Sequence, residues 1–289
     1  MSPSLLAFER NLFHTRLCES GLLVVDGEVA SNADLSSRSS REIALHLARI
    51  LDAPRGKKLR GQTSGAVFER ELADYIARTF RELQQLRPGD WHVANLGNRG
   101  HRIAEGFAQY EHLAHLAAMV EKDSELRMAI GNDYVVSPDI VVWRGLVSDD
   151  DMNEGKTIVE DGIAGAADLR ASNGGKPILH ASISAKWTIR SDRAQNSRTE
   201  ALNLIRNRKG RLPHIVVVTG EPLPSRLASL ALGTGDIDCV YHVALYELQQ
   251  AVEQYSQERG VDDSLDALEA LIMGRRLKDI SDLPLDLCV

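Results

Sequence analysis

The stretch ILHASISAKW (178–187) places apolar and polar side chains in alternation along most of its length. Alternation with a period of two predicts a β-strand, because successive side chains of a strand point to opposite faces of the sheet. Further strands are predicted over 139–143 and over 214–219, where HIVVVT is apolar enough for a sheet buried on both faces. Helical patterns lie between these strands. The sequence therefore predicts an α/β fold in which helices flank a central mixed β-sheet.

We expect the chain to form one domain over 1–289, because no Pro/Gly/Ser-rich linker divides it. Its first part, 1–125, has mainly helical patterns, and 126–289 carries the predicted sheet. The segment GQTSG (61–65) predicts a flexible turn before a helix of about twenty residues. A helix is also predicted over 199–209.

The composition is typical of a soluble globular protein, with 43% hydrophobic and 26% charged residues. No apolar run is long enough to span a bilayer, and Glu9 and Arg10 interrupt the N-terminal apolar stretch, which therefore does not resemble a signal peptide. The cysteines, Cys18, Cys239 and Cys288, are odd in number and lack metal-ligand spacing. We therefore expect reduced thiols, a cytoplasmic protein and no zinc site.

The distribution of charge is uneven. The net charge of −7, taken alone, argues against a nucleic-acid partner. However, eight basic residues and two acidic residues lie between Lys186 and Arg211, which is a local excess of six positive charges. A basic surface for DNA and an ordinary solvated helix face both explain such a run. Composition does not choose between them.

Two short motifs predict chemistry. Pro138 fixes the entry to a strand and places Asp139 near the end of that strand. Ser184 and Lys186 are two apart on the next strand, so their side chains leave the sheet on the same face. If the strands are neighbours, a carboxylate and an ammonium meet. Phosphodiester hydrolysis uses this pairing, because carboxylates hold Mg²⁺ against the phosphate and a lysine orients or deprotonates water.

Ser184 stands where such nuclease motifs carry a second carboxylate. Two other acidic residues are candidates for that role: Glu200, on the predicted helix after the strand, and Glu69, at the start of the long N-terminal helix. The backbone carbonyl of Ala185 is a further candidate metal ligand, because it does not depend on the side chain.

The segment Arg190-Ser191-Asp192-Arg193 follows the strand directly. Arginine donates two hydrogen bonds to guanine O6 and N7 in the major groove, and aspartate accepts one from cytosine N4. These side chains therefore suit the reading of G·C pairs beside the predicted metal. A surface loop with an internal ion pair is the alternative interpretation.

Several longer stretches resemble the NgoMIV family of type II restriction endonucleases, a rearranged subgroup of the PD-(D/E)XK nucleases. The similar stretches span nearly the whole chain: SNAD (31–34), GQTSG (61–65), RPGDW (87–91), HASISAKWTIRSDRAQN (180–196), NRKGRLPHIVVVT (207–219), LALGTGDIDCVYH (230–242) and RLKDISDLPLDL (276–287). Two places depart from the family pattern. Ala185 replaces a cysteine, and the loop after Asp34, a residue implied in outer-base recognition, diverges.

The resemblance implies a restriction-endonuclease-like fold in which a helix glutamate replaces the strand carboxylate. It implies a homotetramer that requires Mg²⁺, cuts double-stranded GCCGGC after the first G, and is paired with a separate methyltransferase. The implied residues fall into three groups: Asp139, Ser184, Lys186, Glu200 and Glu69 for catalysis; Asp139, Ala185, Glu200 and Glu69 for metal; and, for DNA, Arg190, Asp192 and Arg193 at the inner CCGG, Asp34 and Arg226 at the outer G·C pair, and Gln62 in the minor groove.

Three other functions are compatible with parts of the sequence. A non-catalytic DNA-binding protein would not need the carboxylates and Lys186. A structure-selective repair nuclease would read DNA shape without the Arg190–Arg193 segment. A structural or interaction protein would carry the basic run as a solvated face.

Overall fold

The computed structural model describes residues 3–97, 106–114, 138–189, 191–233 and 235–289, and over 191–195 it describes the backbone. Its strands are β1 (Val25–Asp26), β2 (Val29–Ala30), β3 (Trp91–Asn95), β4 (Ile140–Arg144), β5 (Ile178–Lys186), β6 (His214–Thr219), β7 (Cys239–His242) and β8 (Leu277–Asp279). Its α-helices are α1 (Leu5–Glu19), α2 (Arg38–Ile50), α3 (Gly61–Phe80), α4 (Asp149–Met152), α5 (Ser191–Asn207), α6 (Pro224–Ala231), α7 (Leu245–Arg259), α8 (Asp263–Met273) and α9 (Leu283–Asp286).

A six-stranded sheet in the order β3-β4-β5-β6-β7-β8 forms the centre of the described structure. The pairs β3/β4 and β4/β5 are antiparallel, whereas β5/β6, β6/β7 and β7/β8 are parallel. Helices connect the parallel strands, as such connections require. The predicted mixed α/β sheet is confirmed.

The register between β4 and β5 determines where the two motifs meet. Ile140, the first residue of β4, pairs with Ile183 of β5. Because the strands run antiparallel, the residue before Ile140 lies beside the carboxyl end of β5. Asp139 therefore stands next to the Ser184–Lys186 segment.

Helices pack on this sheet and contact one another. Helix α3 contacts β5, β3 and α1, and α2 contacts α7. The start of α3 corrects the sequence interpretation, because Gly61–Gly65 is its first turn and not a flexible turn before it. Buried side chains further along α3, among them Phe68 and Leu72, offset the cost of about 1 kcal/mol for each helical glycine. Of the helices described, none is long and apolar enough to cross a membrane.

A buried arginine joins the first helix to the C-terminal half of the chain. Arg10 of α1 donates two hydrogen bonds of 2.8 Å to Asp279 of β8 and two, of 2.8 and 2.6 Å, to Glu247 of α7. Burial raises the pKa of both carboxyls, but the hydrogen bonds from Arg10 outweigh burial and leave both pKa values lowered. The folded protein therefore depends on this arginine to compensate two charges.

We predict that Arg10→Met lowers the free energy of unfolding by about 3–5 kcal/mol near pH 7, because it leaves buried carboxylates without their partner. Since the folded pKa values of Asp279 and Glu247 are lowered, the network stabilises the protein above the unfolded values of about 4 and loses this effect as pH falls. Urea denaturation at several pH values measures the difference.

Arg38→Met is the matched control, because Arg38 also pairs with a glutamate but its side chain is 68% exposed. We expect this control to cost at most about 1 kcal/mol. Equal losses for the two variants would show that Arg10 makes no special contribution.

Candidate active site

Asp139 and Lys186 are in contact at the carboxyl end of β5. The Asp139 carboxylate oxygen Oδ2 accepts one hydrogen bond from Lys186 Nζ at 2.7 Å and one from the Ala185 N–H at 2.9 Å. Each of the two side chains is only 18% exposed. The N–H and C=O of one strand residue face the same neighbour, so the Ala185 carbonyl also faces Asp139. The structure thus brings together three of the groups that the sequence analysis selected.

Helix α5 brings Glu200 to the same place. It begins at Ser191 and not near residue 199 as the sequence predicted, which adds eight residues at its start. Ser184 Oγ lies 3.3 Å from Ser197 Oγ of α5. Burial raises the pKa of Glu200, and a hydrogen bond from Ser184 to that carboxyl partly opposes this rise. Ser184 is therefore a partner of the helix glutamate.

Glu69 reaches the site from α3. A cleft of about 510 Å³ is lined by Gln62, Glu69, Ala185, Lys186 and Glu200, among others. Because α3 begins at Gly61, Glu69 lies in its third turn and not at its start, where the sequence analysis placed it. The exposed Gln62 lies in the first turn of the same helix.

The site carries more negative than positive charge. Burial raises the pKa of Glu69 to about 7, and the Asp139 charge adds to this effect while Lys186 opposes it. The pKa of Glu200 is also raised to about 7, mainly by burial and further by Asp139. Burial lowers the pKa of Lys186, but Asp139 and Glu200 outweigh burial and raise it. Two carboxyls with such values beside a lysine are typical of a functional site.

This charge balance suits a divalent cation. In the part of the chain that the structure describes, no three His, Cys, Asp or Glu side chains stand as a ready metal cluster. Instead, the ammonium of Lys186 is the cation that contacts Asp139. However, the Asp139 charge repels the charges of Glu69 and Glu200, since it raises the pKa of both. A divalent cation would relieve this repulsion, and Mg²⁺ prefers oxygen donors. The donor set therefore fits a hard divalent metal.

The structure also brings together two residues selected for DNA contact. Arg226 Nη2 of α6 donates to Asp34 Oδ2 across 192 positions of sequence. Asp34 Oδ1 accepts from the backbone and hydroxyl of Ser36 at 3.0 and 2.8 Å. An arginine and an aspartate selected for the same base pair are thus neighbours.

The other selected DNA residues are described less fully. Arg190 lies outside the described residues, and so do the side chains of Asp192 and Arg193. The backbone of Asp192 and Arg193 is in the first turn of α5, so this part of the segment is helical and not a loop.

Sequence reasoning missed Glu221. This residue follows β6, is 0% exposed, and accepts a hydrogen bond of 2.8 Å from the Ile189 N–H. It lies in the segment Gly220-Glu221-Pro222, which has no catalytic spacing or charge pattern. No signal in the sequence could have identified it.

Comparison with known proteins gives two matches. The model of the NgoMIV restriction enzyme family matches residues 13–289. The type II restriction enzyme NgoMIV of Neisseria gonorrhoeae is 50% identical over 291 residues, which cover 100% of both chains. The chain belongs to the NgoMIV restriction enzyme family. The inferred type II restriction endonuclease function is thereby confirmed, as is DNA as a partner.

Membership of the NgoMIV family also decides among the alternatives. A non-catalytic DNA-binding protein, a structure-selective repair nuclease and a structural protein are all set aside, because the match to a restriction enzyme covers the whole chain. Restriction endonucleases generally use a divalent metal to activate water and stabilise the phosphate. In this chain, the carboxylates around Lys186 are suitable ligands for such a metal.

The contact between Ser184 and Glu200 generates a prediction. We expect Glu200→Ser to lose DNA cleavage, and Ser184→Glu combined with Glu200→Ser to recover part of it, because both positions face the same space. Cleavage rates on one plasmid measure the recovery.

Ser184→Glu alone is the control, since a second glutamate beside Glu200 adds repulsion without replacing anything. A double variant no more active than Glu200→Ser would show that these two positions are not interchangeable around the metal.

Proposed function

We propose that this type II restriction endonuclease hydrolyses double-stranded DNA at GCCGGC, after the first G, with Mg²⁺ as its metal. The observation that carries the proposal is the contact of Asp139 with Lys186 and Ala185, two residues that line one cleft together with Glu69 and Glu200. Asp139 and Lys186 belong to the sequence motif and form this contact. Together with Glu69 and Glu200, they also set the charge balance of the site.

The proposed mechanism divides the work among the residues of the cleft. Asp139, Glu200, Glu69 and the Ala185 carbonyl would hold Mg²⁺, which supplies a positive charge for the scissile phosphate and lowers the pKa of a bound water. Lys186 stays an ammonium because its pKa is raised. It orients the attacking water, and its charge stabilises the hydroxide that forms when the proton of that water passes to solvent. The Ala185 N–H fixes the Asp139 carboxylate. Ser184 donates to Glu200 and so supports its ionised form.

Sequence recognition would use two groups of base-reading side chains and one further contact in the minor groove. The neighbouring Asp34 and Arg226 suit one G·C pair, because arginine donates to guanine O6 and N7 while aspartate accepts from cytosine N4. They are assigned to the outer pair. Arg190, Asp192 and Arg193 are assigned to the inner CCGG. Gln62, which is exposed at the rim of the cleft, is assigned to the minor groove.

We also propose a homotetramer of two dimers. A palindrome presents equal edges to two subunits, so a dimer is the smallest assembly that cuts both strands. The second dimer rests on the resemblance to the NgoMIV family. A separate methyltransferase would protect the host's sites. The single domain over 1–289, with its division near residue 125, and the cytoplasmic location stay predictions.

A mapped digest tests the proposed specificity. Purified protein with Mg²⁺ is incubated with a sequenced plasmid, and the product ends are determined. We expect cuts at GCCGGC that leave four-base 5′ overhangs. Cuts at a different sequence would overturn the specificity, and no cleavage with Mg²⁺ or Mn²⁺ would overturn the proposed catalysis.

We predict that Asp139→Ala and Lys186→Ala abolish cleavage while specific DNA binding persists, because neither side chain reads bases. Cleavage assays and gel shifts in Ca²⁺ measure the two properties separately. Lys278→Ala is the matched control, since Lys278 forms a similar ion pair of 2.6 Å with Asp286 but lies on β8. Near-normal cleavage by Asp139→Ala would contradict the proposed site.

We predict that Asp192→Ala costs about 1–3 kcal/mol of discrimination at an inner G·C pair. Lys209→Ala is the comparison, because Lys209 is exposed in the same basic stretch and pairs with Glu111. It should weaken binding to all sequences about equally and reduce the salt dependence. Equal losses on cognate and random duplexes for Asp192→Ala would assign this residue to the DNA backbone.

A further inference from the structure

Glu221 is a buried carboxylate with no part in the proposed hydrolysis. Its side chain is 0% exposed, although glutamate is rarely buried without a partner. Its oxygen Oε2 accepts from the Ile189 N–H at 2.8 Å, and Oε1 accepts from the Leu223 N–H at 3.2 Å. The carboxylate therefore connects the end of the β5 segment to the start of α6.

Arg226 binds the backbone carbonyl of Ile189, whose N–H donates to Glu221. Its Nη1 donates to the Ile189 carbonyl at 3.1 Å and lies 3.8 Å from Glu221 Oε2. Its Nη2 donates to Asp34. Ile189 is thus held through both its N–H and its C=O, and we call Glu221 and Arg226 together the Ile189 clamp.

The clamp lies at the junction of the two proposed groups of base readers. Ile189 is 1% exposed and directly precedes Arg190, the first residue assigned to the inner bases. Helix α5, which carries Asp192 and Arg193, begins two residues later. Arg226, on the other side of the clamp, is assigned to the outer base pair together with Asp34. A shift of Ile189 would therefore move the start of α5 relative to Arg226.

The chemistry of the clamp explains why a carboxylate is needed. Two N–H groups donate to the Glu221 carboxylate, one to each oxygen, and the Arg226 guanidinium lies 3.8 Å away as an ion-pair partner. A glutamine offers one acceptor oxygen, and its NH₂ group would face an N–H donor. Burial raises the pKa of Glu221 to about 7, so this charge is costly where it stands. Retaining a costly group is typical of a functional position.

We propose that Glu221 is a positioning residue for sequence discrimination, which acts by fixing Ile189 so that the outer and inner base readers keep one register on the DNA. This inference depends on the proposed function, in which Asp34, Arg226 and the 190–193 segment read bases. Glu221 itself contacts no base. Glu221 instead fixes the position of the residues that are proposed to contact bases.

The test compares Glu221→Gln with wild type on matched duplexes. The duplexes carry the site that wild type cuts, the site with one outer pair changed, and the site with one inner pair changed. We expect the ratio of kcat/KM between the cognate and each changed site to fall by about fivefold or more. Fivefold is the low end of the discrimination that one base contact supplies. Binding to random DNA and its salt dependence should not change.

Asp238→Asn is the matched control. Asp238 also accepts a backbone N–H at 2.8 Å, from Ile215, but at the opposite end of β6 from Glu221. We expect its discrimination ratios to equal those of wild type. Glu221→Asp is a second variant, which retains the charge but is too short to reach both N–H groups, so its ratios should also fall.

Three outcomes overturn the inference: equal loss of kcat/KM on all three duplexes, unchanged ratios for both Glu221 variants, or failure of both variants to give a folded melting transition. Each would make Glu221 a structural residue. Failure of the proposed function is a separate result, because it is read from wild type alone. If wild type cuts another sequence, the duplexes are rebuilt around that site and the ratios still test the clamp.

Discussion

The ion pair between Asp139 and Lys186 is the interaction on which the site depends. It forms because antiparallel pairing of β4 with β5 sets Ile140 against Ile183, so the residue before β4 meets the last residues of β5. Helices α3 and α5 then bring Glu69 and Glu200 to the same cleft. A shift of one residue in this register would turn Lys186 to the other face of the sheet.

The site is built at a cost to stability. Burial and the charge of Asp139 raise the pKa values of Glu69 and Glu200 to about 7, which means that the folded protein holds these charges less favourably than water does. Other parts of the fold compensate buried charge fully, as Arg10 does for Asp279 and Glu247. The uncompensated carboxyls of Glu69 and Glu200 therefore suit the binding of a ligand, whereas the compensated ion pairs of Arg10 stabilise the fold.

Much of this arrangement was predictable from local sequence. Alternation over 178–187 and the motifs around Asp139 and Lys186 predicted the strands and their meeting, because these depend on periodicity and short spacing. The Gly61–Gly65 segment was predicted wrongly as a turn, since tertiary packing outweighed glycine's low helix propensity. The Ile189 clamp and the Arg10 network join residues far apart in sequence, and no spacing rule indicates such contacts.

The central claim is that the oxygen atoms around Lys186 form the metal site of this restriction endonuclease. Anomalous diffraction from crystals of the protein with its duplex and Mn²⁺ tests this claim most directly. The account predicts an anomalous peak at about 2.0–2.3 Å from an Asp139 oxygen, a distance typical of such ions with carboxylates. Glu200, Glu69 or the Ala185 carbonyl should contact the same ion. A bound, cleavage-competent duplex whose only metal lies away from Asp139 would contradict the account.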